Sequence, residues 1–285
     1  SVSPITLKMH LISPTEAIFI SRGIHQNIRE DGRLRDQLRK FTVETDCLPQ
    51  ANGSARATVH RGSDVLVGIK IDLATPDLNK PTEGKIICSV DCSNSTRIDE
   101  YEHKSMREVN AELAEIVHRT INSSFDLKQL CILCGQYCWF LYVDVVVLDY
   151  GGNLIDILML AIHAAIKSTP IPKVLVNRID IDTDPKATPE FSLEIDETEN
   201  TFLNVASLPL FITIYVSCLH DCKRIEFFLD ANKSEELSSM ERIHFATDRT
   251  GLIYSIKNID CSSLGLNDFM AALRLAKGHS CKLFN

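Results

Sequence analysis

The sequence lacks long hydrophobic runs, low-complexity tracts and short internal repeats. No apolar stretch reaches the roughly 18 residues of a membrane-spanning helix, and the opening residues have no basic segment followed by an apolar one. We therefore expect neither a membrane span nor a secretory signal. The 285 residues, of which 45% are hydrophobic and 24% charged, exclude a disordered or fibrous protein and suffice for two domains.

An excess of positive charge is also missing, since the formal net charge is −8. This balance argues against broad, nonspecific binding of nucleic acid. The charge is uneven, because residues 1–73 contain ten Lys and Arg against eight Asp and Glu, a net of +2, which leaves −10 for the rest. Any RNA contact would therefore be a local basic feature on an acidic protein.

The ten cysteines are scattered through the chain, mostly in apolar surroundings, and nothing else in the sequence suggests export. We interpret them as reduced thiols of an intracellular protein. The densest group is Cys131, Cys134 and Cys138. A metal site requires four soft ligands in a fixed geometry, and no fourth Cys or His lies nearby. Core thiols are therefore favoured over a metal site, and no cofactor is expected.

Hydrophobic periodicity predicts an α/β protein. The first helix begins at Ser13, which has capping-box spacing to Glu16 and is followed by Pro14, and it is expected to end at Gly23. Further helices are predicted at residues 103–122, 154–167 and 266–277. Strands are predicted at residues 40–45, 55–60, 65–71, 85–90, 139–148, 210–218, 225–229, 243–247 and 252–257.

The polar, acidic segment 180–189 is the best candidate for a linker between domains. The two halves of the chain share a rough order of strands followed by a helix, which indicates two related α/β layers. We expect an N-terminal helix or extension at 1–24, a first domain at 25–185 and a C-terminal domain at 190–285. Pro170 and Pro172 are expected to end the helix that precedes the linker.

Gly151 and Gly152 follow a predicted strand and open a predicted helix. A helix N-terminus of this kind can bind phosphate through its free N–H groups. However, no Lys, Arg, Ser or Thr follows the glycines, and the carboxylate of Asp156 would repel an anion. A tight turn from strand to helix, with Asn153 or Gly152 near the cap, is the favoured interpretation.

The segment 230–241 is rich in carboxylates, which could bind Mg²⁺ or act as acid and base. These residues are Asp230, Glu235, Glu236 and Glu241. Because Lys233 and Arg242 interrupt the cluster, a solvated helix surface is favoured.

A basic group near the start of the chain could contact phosphates. It could equally form a surface or subunit-interface patch, and both interpretations stay open. Its members are Arg29, Arg33, Arg35, Arg39 and Lys40.

Several stretches together resemble the RNase PH family, over about residues 14–280. They are Arg29-Glu30-Asp31-Gly32-Arg33, residues 53–55, 62–70, 81–84 and 90–93, and residues 139–156. The most specific stretch is the last, with Leu148-Asp149-Tyr150 before Gly-Gly-Asn-Leu-Ile-Asp. This version is similar to the non-catalytic exosome ring subunits of the Rrp-forty-two type.

The resemblance implies two related α/β domains, the first resembling domain 2 of ribosomal protein S-five. In the family, six such domain pairs close a ring around an RNA channel, and catalytic members cleave RNA by phosphorolysis. The implied partners are other RNase PH-like exosome subunits in a hetero-oligomeric ring, S1/KH-type cap subunits, and RNA passing through the channel. The implied roles are RNA and rRNA processing and RNA degradation in the nucleus, nucleolus and cytoplasm.

Catalytic members of the family carry Thr or Ser followed by Arg after the Gly-Gly turn, where this chain has Leu154 and Ile155. Two Asp six residues apart align with Glu236 and Arg242, and a phosphate-binding Arg on the middle helix aligns with Glu115. The resemblance therefore implies a degenerate site with no catalytic residue and no metal. The alternative is an active phosphate-dependent 3′ exoribonuclease with a divergent site.

Arg119 is the best candidate for an RNA contact, because relatives tend to carry Arg at that position of the long helix. A salt bridge in a subunit interface is an equal alternative. Arg97, Lys104 and Arg107, near the start of that helix, are weaker candidates.

Overall fold

The computed structural model describes residues 12–92, 105–179, 190–219, 224–259 and 264–284. Within these ranges, none of the helices has both the length and the apolar character needed to cross a membrane. The described chain is a mixed α/β protein with two main sheets and one separate hairpin. Helix and strand therefore alternate broadly as the periodicity predicts.

The first sheet lies in the N-terminal half and has the strand order β1-β2-β3-β6-β4, with β5 paired to β6. Only the β4–β6 pair is parallel. Its strands are β1 (Phe41–Thr45), β2 (Gly53–Val59), β3 (Asp64–Ala74), β4 (Lys85–Cys92), β5 (Cys131–Leu133) and β6 (Tyr137–Asp149). Burial alternates from Val65 to Ile69 in β3 and from Trp139 to Val147 in β6, as expected for strands with one face on a core.

The described residues form five α-helices, four of which come before the last strands of the chain. Helix α1 is Pro14–His25, α2 is Met106–Ser124, α3 is Leu154–Ser168 and α4 is the short helix Lys233–Ser238. Helix α2 lies against β4, whereas α3 contacts β2 and β3 on one side and β9 (Leu210–Leu219) on the other. Because α3 is covered from both sides, nine of its residues are buried and its sequence is apolar nearly all round.

The second sheet is antiparallel and has the order β10-β9-β11-β12. Besides β9 it contains β10 (Arg224–Leu229), β11 (Glu241–Thr247) and β12 (Ile253–Ile259). The last helix, α5 (Leu266–Leu283), packs on β9 and β11. Helix α1 packs on α4, β9 and β10, so the N-terminal helix belongs to this second layer.

The predicted start of α1 is confirmed, because the Ser13 side chain accepts a hydrogen bond of 3.2 Å from the Glu16 N–H. Its predicted end is wrong, since the helix continues past Gly23 to His25 and the chain turns at Asn27, with φ of 60°. The predicted end of the last helix at residue 277 is also wrong, because α5 runs through Gly278 to Leu283. A helix interior tolerates glycine at a modest cost, so glycine alone does not end a helix.

A long hairpin follows α3 where the sequence predicted only a helix end and a linker. It consists of β7 (Pro170–Ile179) and β8 (Glu190–Phe202), paired antiparallel up to Ile179 opposite Glu190. Pro170 and Pro172 lie at the start of strand β7. A proline is tolerated there because its missing N–H is not needed to pair with a neighbouring strand. The proposed linker, 180–189, lies outside the described residues, and the division of the chain there stays a prediction.

Candidate functional site

The basic group near the N-terminus and the acidic segment after β10 form one buried network. Arg29 donates from Nε to Glu235 Oε1 at 2.7 Å, and its other nitrogens reach the carbonyl oxygens of Leu229 at 2.9 Å and Asp230 at 2.8 Å. Arg29 is only 4% exposed and Glu235 only 1%. The interpretation of residues 230–241 as a solvated helix surface is therefore wrong, as Asp230, Glu236 and Glu241 are also buried.

Arg39 joins two loops through a second buried ion pair. Its Nη2 donates to Asp230 Oδ1 at 2.6 Å, and its backbone N–H donates to Oδ2 of the same carboxylate at 2.6 Å. It also donates to the carbonyl oxygens of Gly151 at 2.8 Å and Ala231 at 3.1 Å. Burial raises the pKa of Asp230, but the hydrogen bonds and charge of Arg39 outweigh it and hold that pKa below its usual range.

The other members of the basic group lie at the margin of this network. Arg33 binds Asp31 at 2.6 Å and Asp230 at 3.1 Å, and Arg35 forms an ion pair with Glu226. Lys40 is exposed. A surface patch that contacts phosphates or a partner is therefore the wrong interpretation for Arg29 and Arg39, whose guanidinium groups bind the chain's own carboxylates.

The turn between β6 and α3 is packed on both sides by backbone. Gly152 has φ of 90°, and a side chain there would meet Ala231 O, Asn232 C and Lys233 N at 2.6–2.8 Å. Gly151 lies against Gly62 in the same manner. The interpretation as a tight strand-to-helix turn is confirmed, with Asn153 as the N-cap residue of α3.

The N-terminus of α3 faces the carboxylate of Glu236. The Asn153 N–H donates to Glu236 Oε2 at 3.3 Å, and the Tyr150 hydroxyl donates to the same oxygen. On the other oxygen, Oε1 accepts from Tyr215 at 3.1 Å and from Arg242 Nη1 at 3.0 Å. A helix N-terminus attracts an anion, and here the chain supplies that anion itself.

The four positions aligned with catalytic residues of relatives separate into two pairs. Glu236 and Arg242 contact each other as a buried ion pair, with 6% of each side chain exposed. Leu154 and Ile155 are buried in the hydrophobic core. The Arg242 guanidinium thus neutralises Glu236, and the first turn of α3 presents aliphatic side chains to the core.

A second polar chain connects α3 to the sheet of β9 and β11. Asp156 accepts from the Thr213 N–H at 3.0 Å and from its hydroxyl at 2.5 Å, and that hydroxyl lies 2.7 Å from His244 Nδ1. Asn153 Nδ2 donates to Asp156 at 2.9 Å. Burial raises the pKa of Asp156 to about 7 although these hydrogen bonds act in the opposite direction. Burial, followed by the charges of Arg242 and Lys257, lowers the pKa of His244.

Sequence reasoning missed the neutral members of this site. Tyr150, Tyr215, Thr213 and His244 lie in or beside apolar strands, where a pattern of alternating burial does not distinguish a hydrogen-bonded side chain from a core one. The Tyr150 position lies inside the most specific resembling stretch, which is the single signal that could have pointed to it. The others are brought to α3 by sheet pairing over long sequence distances.

The predicted RNA-contact residues lie away from this buried network. Arg119 is on the exposed face of α2, with 79% of its side chain accessible, and it pairs with Glu115 at 2.6 Å. Arg107 is also exposed, near the start of α2. Arg97 and Lys104 lie outside the described residues. Glu115, the partner of Arg119, is likewise exposed on this solvent side of α2.

The three clustered cysteines lie on the β5–β6 hairpin. Cys138 is buried, Cys131 is half-buried and Cys134 is exposed in the turn. Across the described ranges, His, Cys, Asp and Glu side chains form no group of three or more arranged to hold a metal ion.

Comparison with known proteins places this architecture in a family. Residues 37–172 match the 3′ exoribonuclease family, domain 1, known as RNase PH. A protein from Thermococcus onnurineus named exosome complex component Rrp42 is 30% identical, and the match covers 87% of this chain and 85% of that protein. The chain belongs to the RNase PH family.

Two further relatives extend the similarity over the whole length. A Dictyostelium discoideum protein whose name describes an RRP42 exosome complex exonuclease is 28% identical over 97% of both chains. A chain in the structure of the Archaeoglobus fulgidus exosome with RNA bound to the active site superimposes with a TM-score of 0.73. That match is 22% identical and covers 95% of this chain and 96% of the other, so the two share a fold.

Proposed function

We propose that this chain is a non-catalytic structural subunit of the RNA exosome core ring, which supports 3′-to-5′ RNA processing and degradation. Membership of the RNase PH family supports this proposal, as do relatives named as exosome complex components. Its partners are other RNase PH-like subunits, S1/KH-type cap subunits, and RNA in the channel. The corresponding locations are the nucleus with its nucleolus, and the cytoplasm.

The observation that carries the loss of catalysis is the position of Glu236. Phosphorolysis requires inorganic phosphate to be held by cations and N–H donors. At the start of α3 the Glu236 carboxylate already accepts from Asn153, and the Arg242 guanidinium is paired with that carboxylate. A phosphate ion placed there would meet this carboxylate and that of Asp230, which lies within 3.3 Å of Asn153 Nδ2. Like charges at this spacing exclude the anion.

The proposed contribution to RNA binding falls on α2. Arg119 pairs with Glu115 at the solvent, and an exposed ion pair of this kind contributes little to stability. Its guanidinium can therefore exchange Glu115 for an RNA phosphate at small cost. Arg107 is a second exposed cation on the same helix. Arg97 and Lys104, which were chosen from the sequence alone, are the remaining candidates for an RNA contact.

The assay for catalysis uses the assembled ring and the purified chain, each with labelled RNA, phosphate and Mg²⁺. We expect no release of nucleoside diphosphates from the purified chain. The second candidate, an active phosphate-dependent exoribonuclease, is favoured by the name of the Dictyostelium discoideum relative. Diphosphate release that is lost in Asp230→Asn or Glu236→Gln, with circular dichroism unchanged, would establish this candidate and remove the first.

Ring membership and the RNA contact are tested separately. A native pull-down with mass spectrometry should recover RNase PH-like and cap subunits, whereas a particle near the 31.9 kDa chain mass would contradict ring assembly. In the assembled ring, Arg119→Glu should reduce ultraviolet crosslinking of this subunit to RNA. The matched control is Lys173→Glu on the β7–β8 hairpin, which also removes an exposed, paired cation and should leave crosslinking unchanged.

A further inference from the structure

The β5–β6 hairpin brings two cysteine side chains to opposite positions on neighbouring strands. Cys131 in β5 is the register partner of Cys138 in β6. Residues directly opposite each other in an antiparallel pair have Cα atoms roughly 4.5–5.5 Å apart and side chains on the same face. A disulfide spans about 4.4–6.8 Å between Cα atoms. The register shifts between Cys131 and Leu133, so it is the Cys131–Cys138 pair itself, and not a regular ladder, that has the spacing expected for a disulfide.

The third cysteine of the cluster is not placed to form the same bond. Cys134 lies in the turn, where the Gln136 N–H donates to Leu133 O at 3.0 Å. It comes directly after strand β5 and has no register partner in the β5–β6 pairing, whereas Cys138 stands directly opposite Cys131.

Accessibility assigns the two thiols different roles. Cys131 is half-buried at the end of β5, so a small oxidant reaches it from solvent. Cys138 is fully buried, and its Sγ lies 3.5 Å from Ala74 O on the neighbouring strand β3. Burial is the main cause that raises the pKa of both thiols, and the smaller cause is the charge of Cys134 for Cys131 and that of Cys131 for Cys138. Both therefore rest as thiols, and oxidation is slow unless a peroxide is present.

We propose that Cys131 and Cys138 form a reversible cross-strand disulfide when a hydroperoxide oxidises the hairpin. The Cys131 thiolate attacks one peroxide oxygen, which gives a sulfenic acid on Cys131 and releases hydroxide. The Cys138 sulfur then attacks the Cys131 sulfur, and the sulfenic oxygen leaves as water. In total two thiols and one hydrogen peroxide yield one disulfide and two waters. A thiol reductant reverses the bond by exchange.

The bond would stiffen one edge of the first domain. β5 pairs with β6 alone, over two register positions, so it is held by few backbone hydrogen bonds. The turn that follows it contacts the β3–β4 loop, where the Gly135 N–H donates to Pro81 O at 2.8 Å. A covalent link between the strands would keep this turn against the loop.

The test uses the full chain, reduced and then treated with hydrogen peroxide, with remaining thiols blocked by N-ethylmaleimide. Cleavage after Leu133 and Tyr137 separates the three cysteines onto different peptides. We expect a Cys131–Cys138 linked pair whose mass is lower by two hydrogens and which dithiothreitol removes. Hydrogen exchange of residues 131–138 should slow in the oxidised protein.

Variants identify the two partners. The link should disappear in Cys131→Ser, a change at a half-buried edge that leaves the core intact, and it should persist in Cys134→Ser. Cys47, half-buried on another segment, serves as a control thiol and should appear in no linked peptide. A link that contains Cys134 would overturn the proposal. So would the absence of any link at a peroxide concentration that converts the exposed Cys134 to its sulfenic acid.

Discussion

The Glu236 carboxylate accepts hydrogen bonds from two tyrosines, one backbone N–H and one arginine. Each of these donors is directed at a charged acceptor inside the protein, where an unmatched charge is costly. Arg242 therefore depends on Glu236 as much as Glu236 depends on Arg242. Glu236 and its donors are therefore part of the buried structure of the chain.

Replacing Glu236 by Gln should lower the free energy of unfolding by about 3–5 kcal/mol, because it removes the carboxylate that pairs with the buried Arg242 guanidinium. The measurement is urea unfolding followed by circular dichroism. The matched control is Glu199→Gln, which breaks the exposed pair with Lys173 and should leave the unfolding midpoint unchanged. Equal, small effects of both variants would contradict the structural role of Glu236.

Asp156 should make stability depend on pH near neutrality. Its pKa is raised to about 7 in the folded protein, above the ordinary 3.8, so the native state holds a proton that the unfolded state releases. Stability from this group is therefore full below about pH 4 and is lost as pH rises through 7. Because the residue keeps some exposed surface, the expected loss is about 1–3 kcal/mol.

The variant Asp156→Asn removes this titration while keeping an acceptor for the Thr213 N–H. Between pH 5 and pH 8 the free energy of unfolding of the original chain should fall relative to that of the variant. Urea titrations at these two values measure it. A constant difference would show that Asp156 ionises at its ordinary pKa in the folded protein.

At the scale of elements, the contact between the β6–α3 turn and the β10–α4 loop depends on Gly152. An alanine there would combine a left-handed φ of 90° with contacts below 3 Å to the backbone of Ala231, Asn232 and Lys233. Gly32 has a similar φ of 79° but open space around it. Comparing alanine at Gly32 with alanine at Gly152 therefore separates the free-energy cost of the left-handed backbone conformation from the cost of steric overlap with neighbouring backbone.

We expect Gly32→Ala to lower the free energy of unfolding by about 1 kcal/mol, the usual cost of a side chain in this conformation. Gly152→Ala should lower the free energy of unfolding several times more, because the backbone atoms it would meet cannot move aside as the end of a flexible side chain can. Thermal unfolding of both variants tests this. Equal losses would mean that the α4 loop moves aside easily and that the two layers are loosely coupled.

Local patterns predicted most elements but not how they meet. The alternation in β3 and β6 and the capping residues of α1 are local signals, and they located these elements to within a few residues. The β7–β8 hairpin was missed because Pro170 and Pro172 were interpreted only as helix terminators. Proline ends a helix, but it also begins an edge strand, and local sequence does not separate the two.

The site was the least predictable part. Arg29 and Glu235 are 206 residues apart, and each by itself has the pattern of a solvent-exposed charge. Each of the two side chains is buried because it pairs with the other. A prediction made from the basic group or from the acidic segment alone therefore places its charges at the surface. The alignment of Glu236 and Arg242 with two aspartates of catalytic relatives stays a prediction, because it compares residue types alone. The structure shows that the two side chains form a buried ion pair.

Across the whole molecule, the basic first segment and the acidic remainder are joined in one network. Arg29 contacts β10 and α4, and α1 packs on the same elements and on β9. The N-terminal helix and the second sheet should therefore open together in local unfolding. Helix α2 packs mainly on β4 of the first sheet, and its contact with the second sheet is at β12, at the opposite edge from β10.

Replacing Arg29 by Met should increase amide hydrogen exchange in α1 and in β10 and α4 at once, because Glu235 loses the cation that holds both segments. Amides of α2 should keep their exchange rates and provide the internal control. The readout is hydrogen exchange followed by mass spectrometry of the intact, folded chain. Faster exchange confined to α1 would mean that the helix is attached independently of the second sheet.

The pairing of Arg29 and Arg39 with carboxylates in the last third of the chain has a consequence for synthesis. Arg29 and Arg39 leave the ribosome long before Asp230 and Glu235 exist, so during translation these arginines have none of their final acceptors. The first sheet can assemble from residues 41–149 in the meantime, whereas the N-terminal segment must wait for nearly the whole chain. The N-terminal segment can therefore form its final ion pairs only after β10 and α4 have been translated.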